Sequence, residues 1–225
     1  MKKYILATVA AVCALCVILV GCSKGNEFEL NGEGKYVDKS NGVSYIDAPA
    51  CYEPIAMGEE IYGHVGEAKL YQIQGADPHK WLCESYGTVF YADDVKLPTL
   101  GEMNISYCNV VLEDTVLVKI SEATAIAAIV EAYENGESVT RPAVSSDSYD
   151  INWRLKMADE SVGLYYILSY IEIDEDYVVE NENGEQINYG RKFIFNRFEN
   201  RCVAAGDVMD AYAAEYRELN EQTGS

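Results

Sequence analysis

The chain has 225 residues, 49% hydrophobic and 24% charged, which is enough apolar material for a real core and too much for wholesale disorder. Lys and Arg number 17 against 37 Asp and Glu, a formal charge of −20. So acidic a surface repels phosphate backbones and anionic lipid headgroups and lacks the basic stripe that nucleic-acid binding needs; it would attract cationic partners or metal ions.

Lys2 and Lys3 open the chain, and Ile5 to Val20 follows without a charge. At about 1.5 Å per residue this run is short for a bilayer core of roughly 30 Å, so it predicts a secretory leader and not a permanent span. Leu19-Val20-Gly21-Cys22 then resembles the lipobox of bacterial lipoproteins: an aliphatic residue, a small or aliphatic one, Gly or Ala, then Cys. The resemblance covers residues 1–22. It implies cleavage of a signal peptide spanning 1–21, a diacylglycerol thioether on Cys22, and a place at the extracytoplasmic face of a bacterial membrane. Several acyl chains anchor stably where one does not. Cys13 and Cys16 fall in the discarded leader.

Residues 22–42 are polar, Gly-rich and without period, and read as the lipidated cysteine followed by a flexible tether with a reach on the order of 25 Å. The body is expected to occupy 43–220 as a single domain. Ala68 to Ile73 predicts a strand. Asp77-Pro78 predicts a helix start, with His79 to Glu84 as one or two turns ended by Gly87. Thr88 to Tyr91, Ser106 to Leu112 and Thr115 to Ile120 are further strand candidates.

Glu122 to Asn135 carries Ile126, Ile129, Val130 and Tyr133 at helical spacing, with Ser121 as candidate N-cap and Asn135-Gly136 as the stop. In Tyr149 to Met157, Ile151, Trp153, Leu155 and Met157 alternate with polar residues, the period of a strand with one wet face. Leu164 to Ile173 is apolar on both faces, as a central strand would be. Tyr177 to Glu180, Ile187 to Tyr189 and Lys192 to Phe198 continue as a meander, and a closing helix runs from about Asp207 to Leu219. The sum is an α+β fold: a mostly antiparallel sheet, meandering at its C-terminal end, with helices packed on it.

No catalytic set stands out. Cys51, Cys83, Cys108 and Cys202 allow three disulfide pairings or buried free thiols, and the sequence does not choose. His64 and His79 are the only histidines. His79 and Cys83 would share one helical face, but two ligands do not make a zinc site. Gly-x-Ser-x-Gly, Ser-x-x-Lys and His-Glu-x-x-His are all absent. An EF-hand aligned on Gly184 fails because Val179 and Gly190 stand where acids are needed. No metal or cofactor is indicated.

Tyrosines Tyr165, Tyr166, Tyr170, Tyr177 and Tyr189 cluster in the expected sheet and could line a face for glycans or peptides; half-buried sheet residues are the plainer reading. The body resembles small uncharacterised lipoproteins of Gram-positive bacteria, with no motif that names a family. The expectation is a lipid-anchored, non-enzymatic binding or accessory module at the envelope, in contact with the membrane through Cys22 and with an envelope protein, glycan or cationic partner. The alternatives are an envelope hydrolase acting on wall or peptide substrate, and an immunity or inhibitor lipoprotein.

Overall fold

The computed structural model describes residues 25–143 and 148–223. The leader and Cys22 lie outside the described residues. Among the described residues the chain forms sixteen strands and two α-helices, and no helix is long and apolar enough to cross a membrane.

The first eight strands are β1 (Asn26–Leu30), β2 (Tyr36–Asp38), β3 (Ser44–Asp47), β4 (Tyr52–Pro54), β5 (Met57–Val65), β6 (Ala68–Ile73), β7 (Trp81–Glu84) and β8 (Val89–Ala92). All but β4 build a closed barrel in the order β1-β2-β3-β8-β7-β6-β5. Its neighbours are antiparallel except at the closing seam, where Asn26 and Glu27 of β1 pair in parallel with Gly63 and His64 of β5. The lumen is filled by Phe28, Tyr45, Leu70, Leu82, Phe90 and Ala92. Beside the seam the buried Asp38 carboxylate accepts from Asn26 Nδ2 at 2.9 Å and from the Ser40 amide and hydroxyl at 2.8 and 2.6 Å. A carboxylate removed from water needs such a full set of donors.

Along β6, β7 and β8 side chains alternate between the lumen and the rest of the protein. Leu70, Leu82 and Phe90 point in, while Ile73, Trp81, Cys83 and Val89 join the core of the second half. That second half contains β9 (Tyr107–Leu112), β10 (Thr115–Ile120), α1 (Ala123–Asn135), β11 (Tyr149–Asp159), β12 (Leu164–Ile173), β13 (Val178–Glu180), β14 (Gln186–Asn188), β15 (Lys192–Asn196), β16 (Arg201–Ala204) and α2 (Asp210–Thr223).

An antiparallel sheet runs β10-β9-β11-β12-β15-β16, with β4 added along the start of β12. One face of it carries Trp153, Leu155, Met157, Tyr166, Leu168 and Tyr170 into the core, under Ile126, Ile129 and Tyr133 of α1 and Ala213 of α2. The opposite face is open in its middle and bears the candidate site.

The fold is therefore mostly β, not an α+β domain with a helical layer. The helices cover one face of one sheet, and the barrel has none. Residues 26–38, expected to be tether, form β1 and β2, and β3 to β5 fill a stretch with few strand signals. Where a helix is expected over 77–84, residues 77–80 form a turn and Trp81–Glu84 is a strand. Asp77 does cap a turn, its Oδ1 accepting the His79 amide at 3.0 Å, but Trp81, Leu82 and Cys83 are all buried because that wall packs on both sides. The C-terminal meander is interrupted: β13 and β14 form a separate hairpin, and β15 returns to pair with β12. The N-cap of α1 is Glu122, not Ser121, and its side chain makes no capping bond.

Candidate functional site: an arginine-lined groove

Register places Val111, Arg154, Ser169, Phe195 and Cys202 in one row across β9, β11, β12, β15 and β16 on the open face. Two hollows follow this row. One, of about 480 Å³, is lined by Thr140, Arg141, Phe195, Arg197, Arg201 and Cys202 among others. The other, of about 500 Å³, is lined by Val111, Asn152, Arg154, Ser169, Phe195 and Phe198 among others. Phe195, Asn196 and Arg197 belong to both, so the two hollows adjoin there and follow one another across the strands as a groove in two parts.

Three of the chain's six arginines line the first hollow. After α1 the chain adds to the sheet edge: Ser138 bridges Val203, and the Val139 amide donates to the Cys202 carbonyl at 2.8 Å. This swings Arg141 over the buried Phe195, its guanidinium carbon 4.0 Å from the ring centroid. Arg197 follows β15 directly, and its guanidinium carbon lies 5.9 Å from the same centroid. A guanidinium held over a ring keeps its N–H donors available for a carboxylate or phosphate.

Arg201 has other work. Its Nε donates to the Tyr133 carbonyl at 2.9 Å, and its Nη2 to those of Glu134 and Gly136 at 2.8 and 3.2 Å. These are orphan carbonyls at the C-terminal end of α1, where positive charge is favoured.

The turn that carries Arg197 and Phe198 is held from below. Tyr166 donates its hydroxyl to Glu199 and accepts from Asn196 Nδ2 at 2.8 Å, and Tyr133 donates to Glu199 at 2.6 Å. Asn196 Oδ1 accepts the Phe198 amide at 2.9 Å. Burial, reinforced by the Glu199 carboxylate, pushes both phenols well above their usual range, so they remain donors.

Electrostatically the first hollow is the exception on an acidic molecule. Arg154, Arg191 and Arg217 are ion-paired, whereas no ion pair among the described residues involves Arg141, Arg197 or Arg201. Arginine this close to another arginine is repelled by it, and nothing acidic lines that hollow to offset the repulsion. An anion bridging Arg141 and Arg197 would offset it.

The residues singled out in the sequence do not converge. Cys51, Cys83, Cys108 and Cys202 are buried free thiols. Burial pushes Cys83 and Cys202 up to about 11 and Cys108 up to about 12, which makes them inert rather than nucleophilic. The tyrosines expected to share a face are dispersed: Tyr166 and Tyr170 are fully buried, Tyr165 is on the opposite face of β12 beside Tyr107, and Tyr177 packs with Tyr189 and Phe193 near the β13–β14 hairpin.

His64 is half-buried on β5 opposite Lys69, and His79 is exposed in the turn before β7, so the shared helical face with Cys83 does not exist. Among the described residues no cluster of three or more His, Cys, Asp or Glu is placed to hold a metal ion. In the acidic 174–188 segment, Asn181 Oδ1 instead caps its own turn, accepting the Asn183 and Glu185 amides at 2.9 Å each.

Arg141, Arg197 and Phe195 have no signature in sequence, since only the pairing of the 138–139 segment with β16 brings Arg141 to the β15–β16 turn. The one available hint was that two of so few arginines, Arg197 and Arg201, flank a four-residue step. No protein-family model matches the chain, and no curated protein or solved structure matches it either.

Proposed function

We propose that the protein is a lipid-anchored, extracytoplasmic binding module, attached to the membrane through Cys22, and that it takes an anionic ligand in the groove over Phe195 without transforming it. One observation carries the ligand reading: Arg141 and Arg197 stand over one ring with no carboxylate paired to either among the described residues, in a chain of 37 acids. In such a chain an unpaired arginine pair, with a braced turn under it, is most simply a preorganised anion receptor. The lipid anchor rests on the lipobox resemblance of Leu19 to Cys22.

On this reading the body stays close to its membrane. Since β1 begins at Asn26, residues 23–25 alone separate Cys22 from the barrel, a reach of about 10 Å at full extension.

The ligand is tested by titrating the mature protein with inorganic pyrophosphate and following amide and Arg Nε resonances. Saturable shifts at Arg141, Arg197 and their neighbours are expected, weakened at least tenfold in Arg141→Ala/Arg197→Ala and falling with added salt. Shifts of equal size in the double variant, or none in either protein, would refute the anion site. The anchor is tested separately by mass spectrometry of the mature N-terminus and by detergent partition of Cys22→Ala.

A further inference from the structure

We infer that the groove's ligand is an acidic glycan, a sugar chain carrying carboxylate or phosphate groups, lying across the strands with an acidic group at the Arg141–Arg197 end. The inference rests on the anion-binding reading above and adds the class of molecule.

Three observations support it. The first is length. The row from Val111 to Cys202 crosses five strands, which at about 4.8 Å per step is on the order of 20 Å. The two hollows along it adjoin at Phe195, Asn196 and Arg197. A lone oxyanion fills neither; a chain fills both.

The second is the change of character along the groove. The cationic end is lined by Arg141, Arg197 and Arg201. In the second hollow Arg154 is already engaged, donating to the Glu113 carbonyl and pairing with Asp114 at 3.4 Å and Glu53 at 3.9 Å. The carboxylates of that hollow are Glu53, which is ion-paired with Lys156, and Glu113; its neutral groups are Asn152, Ser169 and the ring of Phe198, which is 57% exposed. An aromatic platform beside amide and hydroxyl groups suits a sugar ring, which has an apolar face and a polar rim.

The third is what the floor lacks. It is the face of a paired sheet, so the backbone N–H and C=O groups of its strands are spent in the ladder. Peptides that bind sheets gain much of their affinity by adding to an edge through the main chain, and a sheet face gives them no such partner. Side-chain donors facing outward serve hydroxyls equally well.

The test is calorimetric titration of the full mature protein in neutral detergent with tetragalacturonate, a phosphorylated maltotetraose, the galacturonate monomer, neutral maltotetraose and tetraglutamate. The expected result is that one or both acidic tetrasaccharides bind at least tenfold tighter than the monomer, the neutral chain and the peptide. Phe198→Ala should weaken the tetrasaccharide about tenfold, well beyond its effect on the monomer, while Arg141→Ala/Arg197→Ala should weaken both to a similar degree. Both variants alter exposed side chains, and circular dichroism checks that they fold.

Tetraglutamate or maltotetraose binding as tightly as the acidic sugars would overturn the inference. If the monomer and pyrophosphate bind in an Arg141/Arg197-dependent way but chain length adds nothing, the anion site stands and the glycan fails. If no anion binds at all, both fail.

Discussion

The Phe28 ring occupies the space that any side chain on Gly63 would need: a Cβ built on Gly63 lies 2.3 Å from Phe28 Cε2 and 2.7 Å from the Asn26 carbonyl oxygen. The parallel seam and one of the lumen aromatics thus meet at a residue with no side chain. Gly63→Val is expected to push Phe28 out of the lumen or open the seam, at a cost of about 3 kcal/mol or more. Gly32→Ala, where a Cβ meets nothing within 4 Å, is the matched control and should stay within about 0.5 kcal/mol of wild type. Urea unfolding midpoints of the two variants decide it.

A second prediction concerns the Glu172 carboxylate, which is 1% exposed and accepts from the Tyr170 hydroxyl at 2.6 Å and from Arg217 of α2. Arg217→Met would leave a buried charge with a single phenol donor. Because the arginine is itself partly solvated, the expected loss is about 2 kcal/mol, below that of a fully buried pair. Adding Glu172→Gln to the same protein should recover part of the loss, since the uncompensated charge goes with it. A double-mutant cycle measures the coupling; simple additivity would show that the pair contributes nothing specific.

Tyr166→Phe removes a donor to Glu199 and the acceptor for Asn196 Nδ2, which is itself buried. Stability should fall by about 1–2 kcal/mol. The more informative expectation is functional: pyrophosphate affinity should drop although Tyr166 reaches no ligand, because the turn bearing Arg197 is loosened. Unchanged affinity alongside lowered stability would show that the turn does not preorganise the site.

The thiols give a pH prediction. Cys83, Cys108 and Cys202 are pushed by burial from 9.0 up to about 11, 12 and 11, so the folded state holds their protons longer than the unfolded chain does. The stability they confer is complete below pH 9 and is lost as pH rises through 11 to 12. Unfolding midpoints taken from pH 7 to 11 should be flat and then fall. In native protein at pH 8 these cysteines should resist an aromatic disulfide reagent, and Cys51, Cys83, Cys108 and Cys202 should all react once unfolded. Fast reaction of any one in the native state would contradict its burial.

How far the sequence foretells this architecture depends on how each strand is wetted. Ile151, Trp153, Leu155 and Met157 alternate cleanly because their sheet has one packed face, and β11 and β12 are where periodicity places them. Ile126, Ile129 and Tyr133 mark α1 for the same reason. The barrel is quieter. In β1 only Phe28 is buried, and β5 reads Met-Gly-Glu-Glu-Ile-Tyr-Gly-His-Val, with glycines and acids where a strand signal would be. Short strands that each contribute one residue to a lumen look like linker. In β7, by contrast, Trp81, Leu82 and Cys83 are all buried, and a run with no period fits a turn of helix as well as a strand. The groove was the least legible part, because Arg141 meets Phe195 through tertiary structure alone.

The parallel seam also dictates an order of events as the chain is made. Among the described residues β1 is the first strand to appear, and β2 can fold back on it at once. Its other partner does not exist until Gly63 and His64 have been synthesised, and β6 through β8 must still emerge before the ring has all its members. Until then Asn26–Leu30 presents a bare row of amide and carbonyl groups, open to wrong pairing with other nascent chains. Cylinder closure is therefore the last step of the barrel's own assembly, and it waits on β8, which ends at Ala92.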